Sequence, residues 1–144
     1  MAKIALVDTG SLYRACKVQL NNRVISYRKL KEAYNCSDYI AYVSIYTEKA
    51  HAFADYLESY GYTVEADVDR RHGWPVEITM DAIFHLEEGG SVLLFTENEQ
   101  FRPLEEHYGN SLRIIGLSQI PFKCYTTQKG LTNGRSRSDQ RITV

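Results

Sequence analysis

Cysteine is scarce in this chain, and what there is does not pair. Cys16, Cys36 and Cys124 are odd in number and widely spaced, with no CxxC among them. Neither a disulfide framework nor a structural zinc site is indicated, and reduced thiols are expected. Long apolar runs are missing too. No stretch approaches the roughly 20 residues of a membrane-spanning helix, and the N-terminus lacks the basic-then-apolar order of a secretion signal, so a cytoplasmic protein is expected. GxGxxG and GxxxxGK[ST], the glycine-rich loops that cradle phosphates, are absent, which argues against a dinucleotide enzyme or a P-loop NTPase. A serine nucleophile elbow and internal repeats are absent as well.

What is present is enough for one domain with a real core, since 44% of the 144 residues are hydrophobic. The formal net charge of −1 conceals an asymmetry. From Lys123 onward five basic residues (Lys123, Lys129, Arg135, Arg137, Arg141) stand against Asp139 alone, which leaves −5 for residues 1–122. The expected organisation is a folded domain over 1–122 and a basic extension over 123–144, partly disordered or adding an edge strand. A basic arm on an acidic body suits contact with a phosphate backbone, because neutralised phosphates release counterions; a solvated terminus is the alternative.

The stretch from Lys3 to Tyr13 organises the rest. Ile4 to Val7 read as a strand buried on both faces, ending abruptly on Asp8, with Gly10 and a helix-starting Ser11 after it. Two roles are open to Asp8: capping the next helix, or projecting charge into the crevice at the carboxyl ends of a parallel sheet. Helical spacing follows over Ser11–Leu20 and over Tyr27–Tyr34, where Ser26 is placed to cap. Tyr39–Tyr46 reads as a strand. Thr47 is placed to cap a helix whose apolar positions Ala50, Phe53, Ala54 and Leu57 run until Gly61. A third strand is expected over Tyr62–Val68, a helix over Val76–Glu88, and a fully apolar strand over Val92–Phe95. A short helix over Phe101–Tyr108 and a fifth strand over Leu112–Gly116 complete the series, and Phe122–Thr126 reads as an added edge strand. Strands alternating with helices imply a mostly parallel sheet covered on both faces, a three-layer α/β/α fold. The strands ending at Asp8 and Thr96 are expected at its centre, sharing a crevice.

Acidic groups fall at three expected mouth positions: Asp8, the pair Glu77 and Asp81, and the Glu97-Asn98-Glu99-Gln100 turn. Glu77 and Asp81 are four apart and share a helix face, with Val76, Met80, Ile83 and Phe84 expected as the buried stripe. Like charges at that spacing repel by a few tenths of a kcal/mol, roughly, which a divalent cation would offset. Carboxylate oxygens at several strand ends are what Mg²⁺ or Mn²⁺ prefer. Arg70 and Arg71 precede the helix and are candidate phosphate contacts, with Lys129 and Arg135 in the tail. Trp74 reads either as a stacking platform or as a plug under the loop. The eleven tyrosines read chiefly as core and rim residues, with base stacking as the alternative for exposed ones.

These residues resemble the NYN branch of the PIN-like nucleases. Leu6-Val7-Asp8-Thr9-Gly10-Ser11-Leu12-Tyr13 matches the first motif of that family, and Val76-Glu77-Ile78-Thr79-Met80-Asp81-Ala82 resembles the second, with Glu77 for the usual first Asp. The run from Leu93 to Leu104 resembles the third through Phe101, Pro103 and Leu104. The resemblance covers residues 3–120 by element order. It implies a Rossmann-like PIN-like α/β/α domain, a five-stranded sheet of order 3-2-1-4-5, and hydrolysis of RNA by a metal held on acidic side chains. Carried onto this chain, Asp8, Glu77 and Asp81 would bind Mg²⁺ or Mn²⁺, Asn98 would complete the shell, and Ser11 would position phosphate or water. The chain departs from the pattern where Ser11 replaces Asn, and where Asn98 and Gln100 replace two Asp. An amide oxygen ligates a hard cation but brings no charge and is no carboxylate base. Two functions are therefore expected as alternatives: a metal-dependent endoribonuclease, or a degenerate PIN-like domain that binds RNA or a protein partner without cleavage. A homodimer is left open, and a plain nucleotide-binding α/β domain is a third, weaker reading.

Overall fold

The computed structural model describes residues 2–20, 23–67 and 74–127. The candidate contacts Arg70, Arg71, Lys129 and Arg135 lie outside the described residues. Five parallel strands, β1 (Lys3–Asp8), β3 (Asp38–Ser44), β4 (Thr63–Asp67), β5 (Ser91–Phe95) and β6 (Leu112–Ile115), form one sheet in the order β4-β3-β1-β5-β6. Counting the strands of this sheet alone, the order is 3-2-1-4-5, as the resemblance implies. The two most apolar runs sit at its centre for a physical reason: Ile4–Asp8 and Val92–Phe95 are buried throughout, and a strand with no polar face has no place at a wet edge.

Strand alternation divides the core between the two faces. Ala5 and Val7 join the side chains of α1 (Thr9–Gln19), α2 (Tyr27–Ala33) and α3 (Glu48–Ser59). Ile4, Leu6 and Tyr42 join α4 (Trp74–Glu87) and α5 (Arg102–Tyr108) on the other face. The caps expected from sequence are made: Ser26 Oγ accepts from the Lys29 N–H at 3.3 Å and Thr47 Oγ1 from the Ala50 N–H at 3.1 Å. Gly61, at φ +91°, closes α3 in a conformation that a β-carbon disfavours.

Two expectations are corrected. α4 does not bury Val76, Met80, Ile83 and Phe84; it buries Ile78, Ala82 and Leu86, and leaves Val76, Met80 and Phe84 54%, 62% and 71% exposed. The helix is apolar around most of its circumference, so periodicity identified a helix without fixing its rotation. The rotation follows from tertiary contacts: Asp81 accepts a hydrogen bond from Tyr42 at 2.7 Å, and the Trp74 ring packs on Tyr42. Second, the segment after Phe122 does not extend the main sheet. β7 (Tyr125–Thr127) pairs antiparallel with a short strand, β2 (Arg23–Ile25), which the sequence reading missed. Cys124, just before β7, is fully buried in the core.

Candidate functional site

Strand order reverses between β1 and β5, and the chain leaves their carboxyl ends toward opposite faces of the sheet, α1 on one and α5 on the other, the place where open α/β sheets form a crevice. Asp8 ends β1 and caps α1, its Oδ1 accepting from the Ser11 N–H at 3.5 Å. Its Oδ2 accepts the hydroxyl proton of Thr96, the residue just past β5, at 2.8 Å. Asp8 is thus both a cap and a residue of the crevice, and it is 5% exposed. Ser11 is buried beside it. The Ser11 hydroxyl accepts from the Glu97 N–H at 3.0 Å and lies 3.1 Å from Thr96 Oγ1, so it knits the ends of β1 and β5 together.

The crevice opens into a cleft of about 660 Å³. Asp8 and Asn98 reach its wall, as does Arg14 from α1, and opposite stand Tyr46, Asp67 and Trp74. Arg14 folds back over the first turn of its helix: a β-carbon on Gly10 would lie 3.3 Å from its guanidinium nitrogen. Trp74 is anchored by an indole N–H bond to Ser44 Oγ at 2.9 Å and forms part of the cleft wall. Asn98 Oδ1 accepts from the Gln100 N–H at 3.0 Å and so shapes its own turn. Glu97 turns to the far side, where it accepts from the Leu117 N–H at 2.6 Å, and Glu99 is exposed.

Asp8 and Asn98 are brought together; Glu77 and Asp81 do not line the cleft. Asp81 is engaged by Tyr42, whose phenol is pushed far above its ordinary range by burial first, then by the Asp81 carboxylate it donates to, with Glu65 and Glu77 adding to the effect. These acids gather around a buried tyrosine on the α4 face. Among the described residues no group of three or more His, Cys, Asp or Glu side chains is disposed to hold a metal ion. Both oxygens of Asp8 already accept hydrogen bonds, and the Asn98 amide oxygen has its own donor. Among the described residues, the side-chain carboxylate and amide oxygens at the cleft wall are those of Asp8, Asp67 and Asn98. Asp67 is a cleft residue that the sequence reading passed over. An expected strand end at Val68 put it inside the strand, and it is the last described residue of β4.

No protein-family model matches the sequence, and no curated protein matches it. A crystal structure of a protein of unknown function from Vibrio parahaemolyticus is similar, with a TM-score of 0.65 over 85% of this chain and 86% of that one. At 22% sequence identity the likeness is one of fold. Among the described residues no helix is long and apolar enough to cross a membrane.

Proposed function

We propose that this chain is a PIN-like domain that binds single-stranded RNA in the cleft above Asp8 without hydrolysing it. The observation that carries this reading is the cleft wall itself, where Arg14 stands near the aromatic side chains Tyr13, Tyr46 and Trp74. A guanidinium pairs with phosphate oxygens, and aromatic faces stack on bases whatever their sequence. Asn98 and Gln100, neutral where the resembled family has two Asp, favour binding over metal-assisted cleavage.

The test is titration of a labelled oligouridine against the full chain over a range of salt, with the RNA then run on a gel after incubation with Mn²⁺, Mg²⁺ or chelator. Expected are intact RNA in all three conditions and a salt-dependent affinity. Arg14→Ala should lower the salt slope by about one, as one lost phosphate contact does. Tyr46→Ala should weaken binding about tenfold if it removes one stacked base. Absence of binding would overturn the proposal. Metal-dependent cleavage that Asp8→Asn abolishes would replace it with the nuclease reading.

A further inference from the structure

Beside the cleft lies a second cavity of about 120 Å³, between α1, α3 and the β2–β7 pair. Its walls include Leu12, Cys16, Ile25, Tyr27, Phe53 and Tyr56, and it shares Tyr13 and Phe53 with the cleft. The rings are arranged as a receptacle for another ring. Tyr27 meets Phe53 edge-on at 5.5 Å, and Phe53 lies nearly parallel to Tyr56 at 6.3 Å.

One polar group in this wall is unexplained. Tyr27 is 6% exposed, yet among the described residues its hydroxyl has no hydrogen-bond partner, while the neighbouring Tyr62 hydroxyl donates to the Tyr27 carbonyl at 2.6 Å. No fully buried side-chain nitrogen or oxygen among the described residues lacks a partner, so the Tyr27 hydroxyl retains accessible surface, and the cavity it lines supplies that space. A hydroxyl that faces the cavity and bonds no protein group among the described residues can donate to a ligand's acceptor in place of water. Size then limits which ligand could bring one. At about 120 Å³ the space is somewhat below the roughly 150 Å³ of an apolar cavity that holds benzene, so a single ring is the largest group it takes in whole.

We propose that this cavity is a subsite for a single-ring base, a pyrimidine, whose carbonyl accepts the Tyr27 hydroxyl proton while its sugar and phosphate remain in the cleft. The identity of the ring as a base and the location of its sugar and phosphate rest on the RNA-binding reading above; a subsite for a single ring with an acceptor does not. The base could belong to a strand or to a free nucleoside, and the experiment separates the two.

Uridine, cytidine, adenosine and ribose 5-phosphate are each titrated into the full chain by calorimetry, and labelled oligouridine and oligoadenosine are compared by anisotropy. A pyrimidine subsite predicts at least tenfold preference for the pyrimidine in one or both formats, and no binding of the base-free sugar phosphate through this cavity. Tyr27→Phe should reduce that preference about tenfold without lowering the melting temperature of the free protein, because the hydroxyl it removes has no partner there. Thr126→Phe, on the exposed strand opposite Val24 at the cavity wall, should narrow the space and abolish the preference. Preference seen with oligonucleotides alone assigns the ring to a strand. Equal binding of purine and pyrimidine in both formats, or a preference untouched by both variants, would overturn the subsite. Equal, Arg14-dependent binding of the two oligonucleotides would leave the cleft reading standing without it. Pyrimidine nucleosides binding while neither oligonucleotide does would leave the subsite and remove the cleft reading.

Discussion

Asp8 holds its place through a count of protons. The one hydroxyl proton of Thr96 goes to Asp8 Oδ2 at 2.8 Å, and Thr96 Oγ1 in turn accepts from the Asn98 N–H at 3.0 Å. The 3.1 Å contact between Ser11 Oγ and Thr96 Oγ1 is then left only the Ser11 proton, which Ser11 also donates toward the Asp8 carbonyl at 3.3 Å, so two acceptors share it. Thr96 is 1% exposed, so a replacement that cannot hydrogen-bond leaves buried groups unpaired. Thr96→Val keeps the shape and should lower unfolding free energy by about 1–3 kcal/mol, with Thr96→Ser recovering most of it. Urea denaturation measures both; an unchanged midpoint in the valine variant would remove Thr96 from the account. Asp8 was legible in the sequence because a charge ending an apolar run is conspicuous. Thr96 was placed as a strand end at the same crevice, but its bond to Asp8 was not legible, since a neutral residue carries no chemical mark until its neighbour across the sheet is known.

α4 shows what an element reveals on its own and what it does not. Its sequence holds two apolar lines, Ile78-Ala82-Leu86 and Val76-Met80-Phe84, each spaced by four, and either could face the sheet. The deciding contacts come from elsewhere in the chain: Tyr42 meets both Asp81 and Trp74. Glu77 and Asp81 could be placed on a helix from sequence, but not on the side away from the cleft. β2 was invisible for a related reason, because Arg23–Ile25 is a strand only by virtue of pairing with β7, about a hundred residues later. The rotation of α4 has a measurable consequence. Ile78→Ala should cost about 2–4 kcal/mol through the cavity it opens, whereas Met80→Gln, on the exposed line, should stay within about 0.5 kcal/mol of the parent. Equal losses in the two variants would mean that the exposed line is covered in solution.

At the scale of the whole molecule, the parallel sheet and its two central strands were legible because apolar runs and helices alternate and burial on both faces can be satisfied only at the sheet centre, while the full strand order came from the family resemblance. Less visible was how far the core depends on tyrosine. Tyr27, Tyr39, Tyr42 and Tyr62 are all buried, and each has its phenol raised above the ordinary range chiefly by desolvation. Tyr42 and Tyr62 are also bound by hydrogen bonds in which they act as donors. The sign of the resulting pH dependence follows directly. In the unfolded chain these phenols lose their protons near pH 10, while the folded protein holds them, so above that pH the folded state binds more protons and stability falls as pH rises. Below pH 10 both states are protonated, and these groups give no slope. Each phenol kept protonated contributes a loss of roughly 1 kcal/mol per pH unit above 10, enough for a few of them to exhaust the stability of an ordinary domain within two or three units. Urea midpoints measured from pH 8 to about 11.5 should therefore be flat with respect to these groups and then drop steeply. Tyrosinate absorbance should appear in two stages, the exposed phenols first and the buried ones only together with loss of the native circular dichroism. If all eleven tyrosines ionised in one step near pH 10 with the fold intact, the packing described for this core would be wrong.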